Sequence, residues 1–247
     1  MKRVGIIGMT GRMGSILSSQ IDGNPKYVVD QSPANQNLSQ IFEQNDYVVD
    51  FSSAEIIEDI LKAALECPKP LILLTTGWDK EQYMQQYIQL IAKRVPVVIA
   101  PNTSLGSWLQ NFLSAKIASI LDESYDIDII DKHHKNKVDR PSGTTNFLIS
   151  SIKSAKIDHH NIQYDASHHC EGLRKTSAIE VSVLRSGNLP GEHEVIFTSQ
   201  DEMISIKHTA FNRGLFAKGA IRILDWLNQS NPTPGIYGMG DLYGKHL

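Results

Sequence analysis

The sequence predicts an α/β fold in two parts. An N-terminal doubly wound parallel sheet is followed by an α+β domain containing an open mixed sheet. Three observations carry this expectation. Short apolar runs alternate with helical spacing over the first hundred residues, the pattern of a parallel sheet covered on both faces. After Asn102 the alternation stops, and three strand-like runs follow one another with no helix between them. A chain of 247 residues, 41% hydrophobic and 21% charged, is long enough for one or two domains that each bury a core.

The strands expected in the first part are Val4–Ile7, Tyr27–Asp30, Tyr47–Phe51, Leu71–Thr75 and Val97–Ala100, all short and largely apolar. Between them Met13–Ile21, Ala54–Leu65 and Lys80–Lys93 place apolar residues at helical spacing. Ser32–Asn37 is polar, contains Pro33, and reads as a loop before at most a short helix. In the second part a helix is expected over Leu105–Leu121, a strand over Tyr125–Asp131 and a helix over Thr144–Ala155. A polar, His-rich stretch runs from Asp158 to Thr176. The strands Ala178–Arg185, His193–Thr198 and Met203–His208 come next, the last two joined by the hairpin turn Ser199–Glu202. Phe211–Leu227 is a strong helix expected to return to the first part, and Pro232 and Pro234 open an irregular tail.

Composition excludes several classes of function. The 24 Lys and Arg nearly balance 27 Asp and Glu, and a net charge of −3 does not suit broad nucleic-acid binding through phosphates. Cys67 and Cys170 are far apart and match no metal spacing, so neither a disulfide scaffold nor a thiolate zinc site is indicated. The longest apolar runs, such as Leu71–Leu74 and Val95–Ala100, fall far short of the ~20 residues of a membrane span. The first strand begins at Lys2 or Arg3, which leaves no room for a signal peptide. A soluble, cytoplasmic protein with no nucleic-acid or membrane partner is expected.

Gly5-Ile-Ile-Gly8-Met9-Thr10-Gly11-Arg12-Met13-Gly14 closes the first strand and opens the first helix. Glycines at such a turn let the backbone approach a pyrophosphate, whose charge meets the helix N-terminus. The cradle Gly8 to Met13 is therefore expected to bind a dinucleotide, in a Rossmann-like domain, with Arg12 adding a cation. The spacing is not the strict G-x-G-x-x-G, and the alternative is a turn that serves only close strand–helix packing. Asp30, 22 residues after Gly8, stands where an acidic residue would accept bonds from the adenosine ribose. Leu74, Thr75 and Thr76, and Ala100, Pro101, Asn102 and Thr103, lie at strand ends where ligands of doubly wound sheets sit.

The densest functional text is Asp131-Lys-His133-His134-Lys-Asn-Lys137-Val-Asp-Arg140-Pro141-Ser142-Gly143-Thr144. Two adjacent histidines do not easily share one metal, and no third ligand stands at a familiar spacing, so no metal is expected. His159, His160, His168 and His169 lie in the polar stretch and receive no role. His133, His134 and Lys137 offer a proton that titrates near neutrality beside concentrated positive charge. Ser142-Gly143-Thr144 then opens a helix whose N–H groups suit a carboxylate. A small polyanionic substrate fits both features; the alternative is a charged surface loop before a capped helix.

On these residues the chain resembles the dihydrodipicolinate (4-hydroxy-tetrahydrodipicolinate) reductase family of bacterial lysine and diaminopimelate synthesis. Its His-His-x-x-Lys-x-Asp-x-Pro-Ser-Gly-Thr loop is matched without a gap from His133 to Thr144. Gly11-Arg-Met-Gly14, Thr75-Thr76-Gly77, Asn102, Arg185-Ser-Gly187, Gly191-Glu-His193, His208-x-Ala210, Arg213 and Phe216-Ala-x-Gly219-Ala220 are also like the family's. The resemblance implies a nucleotide-binding domain of residues 1–104 plus 214–247 and a substrate-binding and oligomerisation domain of residues 105–213. It implies reduction of the cyclic dicarboxylate to tetrahydrodipicolinate with NADH or NADPH, and a homotetramer. His133 would be the general acid and Lys137 its assistant; His134, Ser142, Gly143 and Thr144 would bind carboxylates, with Arg213 assisting at the hinge. Two departures stand out: the segment between Asp30 and Tyr47 is shortened, and Arg140 and Thr145 replace the family's common alanines. A related NAD(P)-dependent amino-acid dehydrogenase and a non-catalytic nucleotide sensor are the competing readings. A sensor needs no general acid, which counts against the second. Gln31 and Ser32 put no cation after Asp30, so NADH should serve at least as well as NADPH.

Overall fold

The computed structural model describes residues 1–29, 37–160, 165–167, 174 and 178–244. It divides into two compact units, Met1–Ser104 with Arg213–Leu247 and Leu105–Asn212. Asp30, His168, His169 and most of the His-rich stretch lie outside the described residues.

The first unit is built on six parallel strands: β1 (Lys2–Ile7), β2 (Tyr27–Val29), β3 (Tyr47–Asp50), β4 (Leu71–Leu73), β5 (Pro96–Ile99) and β11 (Gly235–Tyr237). Their order is β11-β5-β4-β3-β1-β2. The chain steps from β1 to β2 on one side and then to β3 on the other, so the sheet switches direction beside β1. Ligands of doubly wound folds lie in the crevice at such a switch. Side chains of β3, β4 and β5 are buried almost throughout, as expected of strands covered on both faces. Val48, Leu71, Leu73 and Val97 share one core with Ile57, Ile60 and Leu61 of α3 (Ile57–Glu66).

Helices differ from expectation at their ends. α1 is Arg12–Ile21 and α2 is Leu38–Gln44, the latter capped by Asn37, whose side chain accepts from the Ser39 amide. The segment expected as Ala54–Leu65 opens with a 3-10 turn, Ala54–Ile56, before α3. Lys80–Lys93 is broken by a π-helical turn, Met84–Ile88, between α4 (Lys80–Tyr83) and α5 (Gln89–Ala92). The tail is a correction to the sequence reading. It is not wholly irregular, since Gly235–Tyr237 pairs with β5 as the sixth strand and α9 (Met239–Tyr243) follows. Three residues are too few to show a period. α8 (Gly214–Ser230) starts after the exposed Phe211 and joins α1 and β2 through Gln20 Nε2–Gly214 O at 3.2 Å and Tyr27 Oη–Asp225 Oδ1 at 3.1 Å.

The second unit has a mixed five-stranded sheet in the order β10-β9-β6-β8-β7. Its strands are β6 (Asp126–His133), β7 (Asp165–Ser167), β8 (Ala178–Arg185), β9 (Gly191–Thr198) and β10 (Met203–Ala210). β8 runs parallel to β6, whereas β9 runs antiparallel to both β6 and β10. Burial alternates along β6 and β9, the mark of a sheet with one packed face. Ile127, Ile129, Val181, Val195 and Phe197 form that face with Leu148 and Ile152 of α7 (Gly143–His160). α6 (Leu105–Ile120) contributes Gln110, whose amide donates to His193 O at 2.7 Å and Ile206 O at 2.8 Å and so ties β9 to β10. Among the described residues no helix is long and apolar enough to cross a membrane.

Candidate functional site

Every described candidate of the first unit stands at the carboxyl edge of the parallel sheet. Gly8 has φ +81, a conformation glycine adopts freely, and a Cβ there would lie 2.5 Å from Phe51 O at the end of the neighbouring strand. Gly14 lies so close under the turn that a Cβ would meet Gly8 O at 2.2 Å. These glycines press the turn against both β3 and α1. Gly11, Arg12 and Thr10 are exposed, and Gly11 opens α1 without any side-chain cap. Uncapped N–H groups at a helix start beside exposed glycine backbone fit a phosphate group, so the cradle suits the dinucleotide expected from sequence.

The other strand ends divide. Thr76 and Pro101 are exposed and Asn102 is half-buried, while Leu74, Thr75 and Ala100 are buried behind them. Asn102 accepts from the Ser104 amide at 3.0 Å. Thr103 is buried, and its hydroxyl donates to Phe216 O at 2.7 Å, fastening α8 to this strand end. Beneath the cradle, Asp50 is completely buried at the end of β3. Its Oδ1 accepts from the Ser52 amide at 2.9 Å and the Ser52 hydroxyl at 2.5 Å. Burial raises its pKa, and Ser52 and Thr75 offset that only in part.

In the second unit β6 runs on past Asp131 to His133, so the two side chains fall on the same packed face. His133 Nδ1 meets Asp131 Oδ1 at 2.6 Å, with both residues buried. Arg185 Nη1 donates to the same oxygen at 2.8 Å. Oδ2 takes the Ser142 amide at 2.7 Å and the Thr145 hydroxyl at 2.9 Å. Burial alone would raise the Asp131 pKa; the bonds from His133, Ser142, Arg185 and Thr145 prevail and hold it well below the usual carboxylate range.

Ser142 caps α7. Its Oγ receives the Thr145 amide at 3.3 Å and its carbonyl receives the Asn146 amide at 3.0 Å. The same Oγ meets Thr145 Oγ1 at 3.1 Å and His193 Nε2 at 2.9 Å. Its polar groups are therefore turned inward, and Gly143 and Thr144 form the part of the turn that solvent reaches. His193 stacks edge-on against His133, with centroids 5.1 Å apart. Burial pushes the His193 imidazole down to about 4, with His133, His208 and Lys137 acting in the same direction against Asp131. It is neutral at pH 7. Lys137 pairs with Asp139 at 2.8 Å, and His134 is partly exposed in the same loop. Arg140 is exposed.

Asp131, His133 and His193 offer ligand atoms within 4.8 Å of one another. A cation there would meet the Arg185 guanidinium on Asp131 and the Ser142 hydroxyl on His193, so the protein already saturates the set. Sequence reasoning quoted Asp131, Thr145, Arg185 and His193 but assigned none of them a role in the site. The spacing of Asp131 and His133 along one strand was the available signal for the first.

A parallel-sheet unit with a glycine phosphate cradle, joined in one chain to a unit with a carboxylate-held histidine beside a helix start, defines a two-unit enzyme of the nucleotide-dependent class. The particular family follows from comparison. The profile for the N-terminus of dihydrodipicolinate reductase matches residues 2–103, and that for its C-terminus matches residues 106–243. The chain belongs to the dihydrodipicolinate reductase family. It is similar to 4-hydroxy-tetrahydrodipicolinate reductase of Chlamydia felis, 41% identical over 239 residues, 96% of each chain. The enzyme of the same name from Rickettsia rickettsii is 34% identical over 98% of this chain and 99% of its own. A solved structure of dipicolinate-bound dihydrodipicolinate reductase from Paenisporosarcina sp. TG-14 shares the fold. Its TM-score is 0.77 at 19% identity, over 98% of this chain and 99% of that one.

Proposed function

We infer that the chain reduces 4-hydroxy-tetrahydrodipicolinate to tetrahydrodipicolinate in diaminopimelate and lysine biosynthesis, with His133 as the general acid. The observation that carries the assignment of His133 is its buried bond to an ionised Asp131 beside the start of α7. A bound NADH or NADPH supplies the hydride. The substrate's 4-hydroxyl leaves as water, which makes the ring conjugated; hydride addition would then build negative charge, and His133 would quench it with a proton. Lys137 assists that protonation and attracts a carboxylate, while His134, Gly143 and Thr144 bind the substrate's carboxylates. Ser142 fixes the turn on which Gly143 and Thr144 sit.

Gly8, Met9, Thr10, Gly11, Arg12 and Met13 cradle the nucleotide's phosphates, and Thr75, Thr76 and Asn102 border its sugar and base. The first unit is then the nucleotide-binding domain and the second the substrate-binding domain. NADH serves at least as well as NADPH in this reading, and a kcat/KM for NADPH more than about tenfold higher, roughly 1.4 kcal/mol, would overturn it. The protein works in the cytoplasm, without metal, as a homotetramer. Support for self-association comes from β10, which presents Met203, Ser205 and Lys207 to solvent, and light scattering in solution tests it.

NADH oxidation with the cyclic substrate tests the whole assignment. His133→Gln should lower kcat by roughly 10²–10⁴-fold with little change in KM for the nucleotide. Lys137→Ala should damage both kcat and KM for the dicarboxylate, because its charge acts in ground and transition states alike. A folded His133→Gln protein keeping more than about a third of wild-type kcat would remove His133 from the chemistry.

A further inference from the structure

The hydrogen atoms around Asp131 can be assigned one by one. Its carboxylate is an acceptor only, since it already takes Arg185 at 2.8 Å, the Ser142 amide at 2.7 Å and the Thr145 hydroxyl at 2.9 Å. The 2.6 Å contact to His133 Nδ1 therefore has one sense: Nδ1–H donates. Thr145 has spent its hydroxyl hydrogen on Asp131, so in the 3.1 Å contact Ser142 Oγ–H donates to Thr145 Oγ1. Ser142 Oγ then accepts from His193 Nε2–H at 2.9 Å. Each donor in this chain points toward Asp131, and the side-chain and backbone hydrogens named here all have their acceptor. On the far side of the His133 ring stands Gly191, where a Cβ would come within 2.9 Å of Nε2 and 3.3 Å of Cδ2.

We propose that Asp131 is the positioning residue for proton delivery: it fixes His133 with Nδ1 protonated, so that Nε2 alone exchanges a proton, while Gly191 keeps that nitrogen uncovered. This deepens the reading of His133 as the acid and rests on it. In the step itself the Nε2–H bond breaks as the substrate takes the proton. The imidazolium becomes the neutral Nδ1–H imidazole, and Nε2 takes its next proton from water. The neutral product of the step is thus the tautomer that Asp131 already holds, and the ring need not reorient between turnovers. Free histidine in water favours the other tautomer, which makes the assignment diagnostic.

The test is imidazole ¹⁵N NMR on the full-length protein at a pH where His133 is neutral, with its resonances identified by their loss in His133→Gln. Expected is a protonated Nδ1 and an unprotonated Nε2. A wild-type His133 protonated on Nε2 overturns the proposal whatever the variants do. In Asp131→Asn the Nε2–H form should appear and kcat should fall roughly 10²-fold or more, with KM for the nucleotide unchanged. Asp131→Glu, which restores a carboxylate, should recover part of both. Gly191→Ala should lower kcat while leaving the tautomer as in wild type. A folded Asp131→Asn protein with kcat within about threefold of wild type overturns the proposal. Undiminished kcat in His133→Gln would instead overturn the general-acid reading, and the catalytic half of this proposal with it; the tautomer alone then decides the positional half.

Discussion

Among the described residues two aspartates are completely buried, Asp50 at the end of β3 and Asp131 in β6, and their electrostatics are opposite. Asp131 gathers His133, Arg185, Thr145 and the Ser142 amide, and is held as an anion far below the ordinary carboxylate range. Asp50 takes Ser52 on Oδ1, its Oδ2 has no direct hydrogen-bond partner, and burial pushes its pKa up with only partial relief from Ser52 and Thr75. Depth is the same in both cases. What differs is the count and charge of the donors, and that decides whether burial keeps a carboxylate ionised or drives it toward the neutral form. The ionised one organises a site around a histidine; the other supports a backbone turn beneath the glycine cradle.

The largest expected effect comes from removing each charge in turn. Asp131→Asn leaves the Arg185 guanidinium, whose side chain is 2% exposed, without its counter-charge. Breaking a buried pair in this way costs about 3–5 kcal/mol, to be read in the denaturant stability of the second unit. Asp50→Asn keeps an oxygen for Ser52 and removes a charge that burial already disfavours. Its stability should stay within about 1 kcal/mol of wild type or rise. Equal losses in the two variants would abolish the distinction drawn between these carboxylates.

A pH series sharpens the contrast. His193 has its pKa lowered by burial to about 4 in the fold, against an ordinary 6.5. As pH falls from about 6.5 to 4 the unfolded chain takes up this proton and the folded one does not. The second unit should therefore lose roughly 3 kcal/mol over that window. Asp131 adds a further loss only in stronger acid, because its folded pKa lies below the unfolded one. Asp50 acts with the opposite sign: its raised pKa means the folded form binds the proton first, so this group favours the first unit as pH falls and the benefit is lost as pH rises. Amide exchange read separately in β6 and β3 measures both trends. An acid loss that persists undiminished in His193→Gln would show that another group titrates.

The smallest effect belongs to charges near the surface. Glu192 meets Lys132 and Lys207, each at 2.9 Å, and accepts from Thr209 at 2.8 Å; Lys132, first, and then Lys207 and Thr209 hold its pKa down to about 2 against a partial burial cost. Both lysines are well exposed, at 36% and 46%, so solvent screens the pairs. Glu192→Gln should cost less than about 1 kcal/mol, and added salt should shrink the difference in melting temperature.

The sequence by itself determined the alternating strands and helices of the first unit, because a parallel sheet buried on both faces writes continuous apolar runs that need no partner to be recognised. It also determined the cradle, since Gly8 and Gly14 answer to local backbone geometry, and it marked the loop from His133 to Thr144 as the densest chemistry in the chain. The strand β11 escaped it, three residues that become a strand only by pairing with β5. The tertiary structure alone decided what surrounds His133. Register sets His193 opposite Asp131 across the β6–β9 ladder and Arg185 opposite His133 across β6–β8. These partners lie about fifty to sixty residues away in sequence, and a slip of one residue would turn each of them to the other face of the sheet. Local propensity cannot carry that information; only the packing of the whole sheet on α6 and α7 selects the register that collects four donors on one carboxylate.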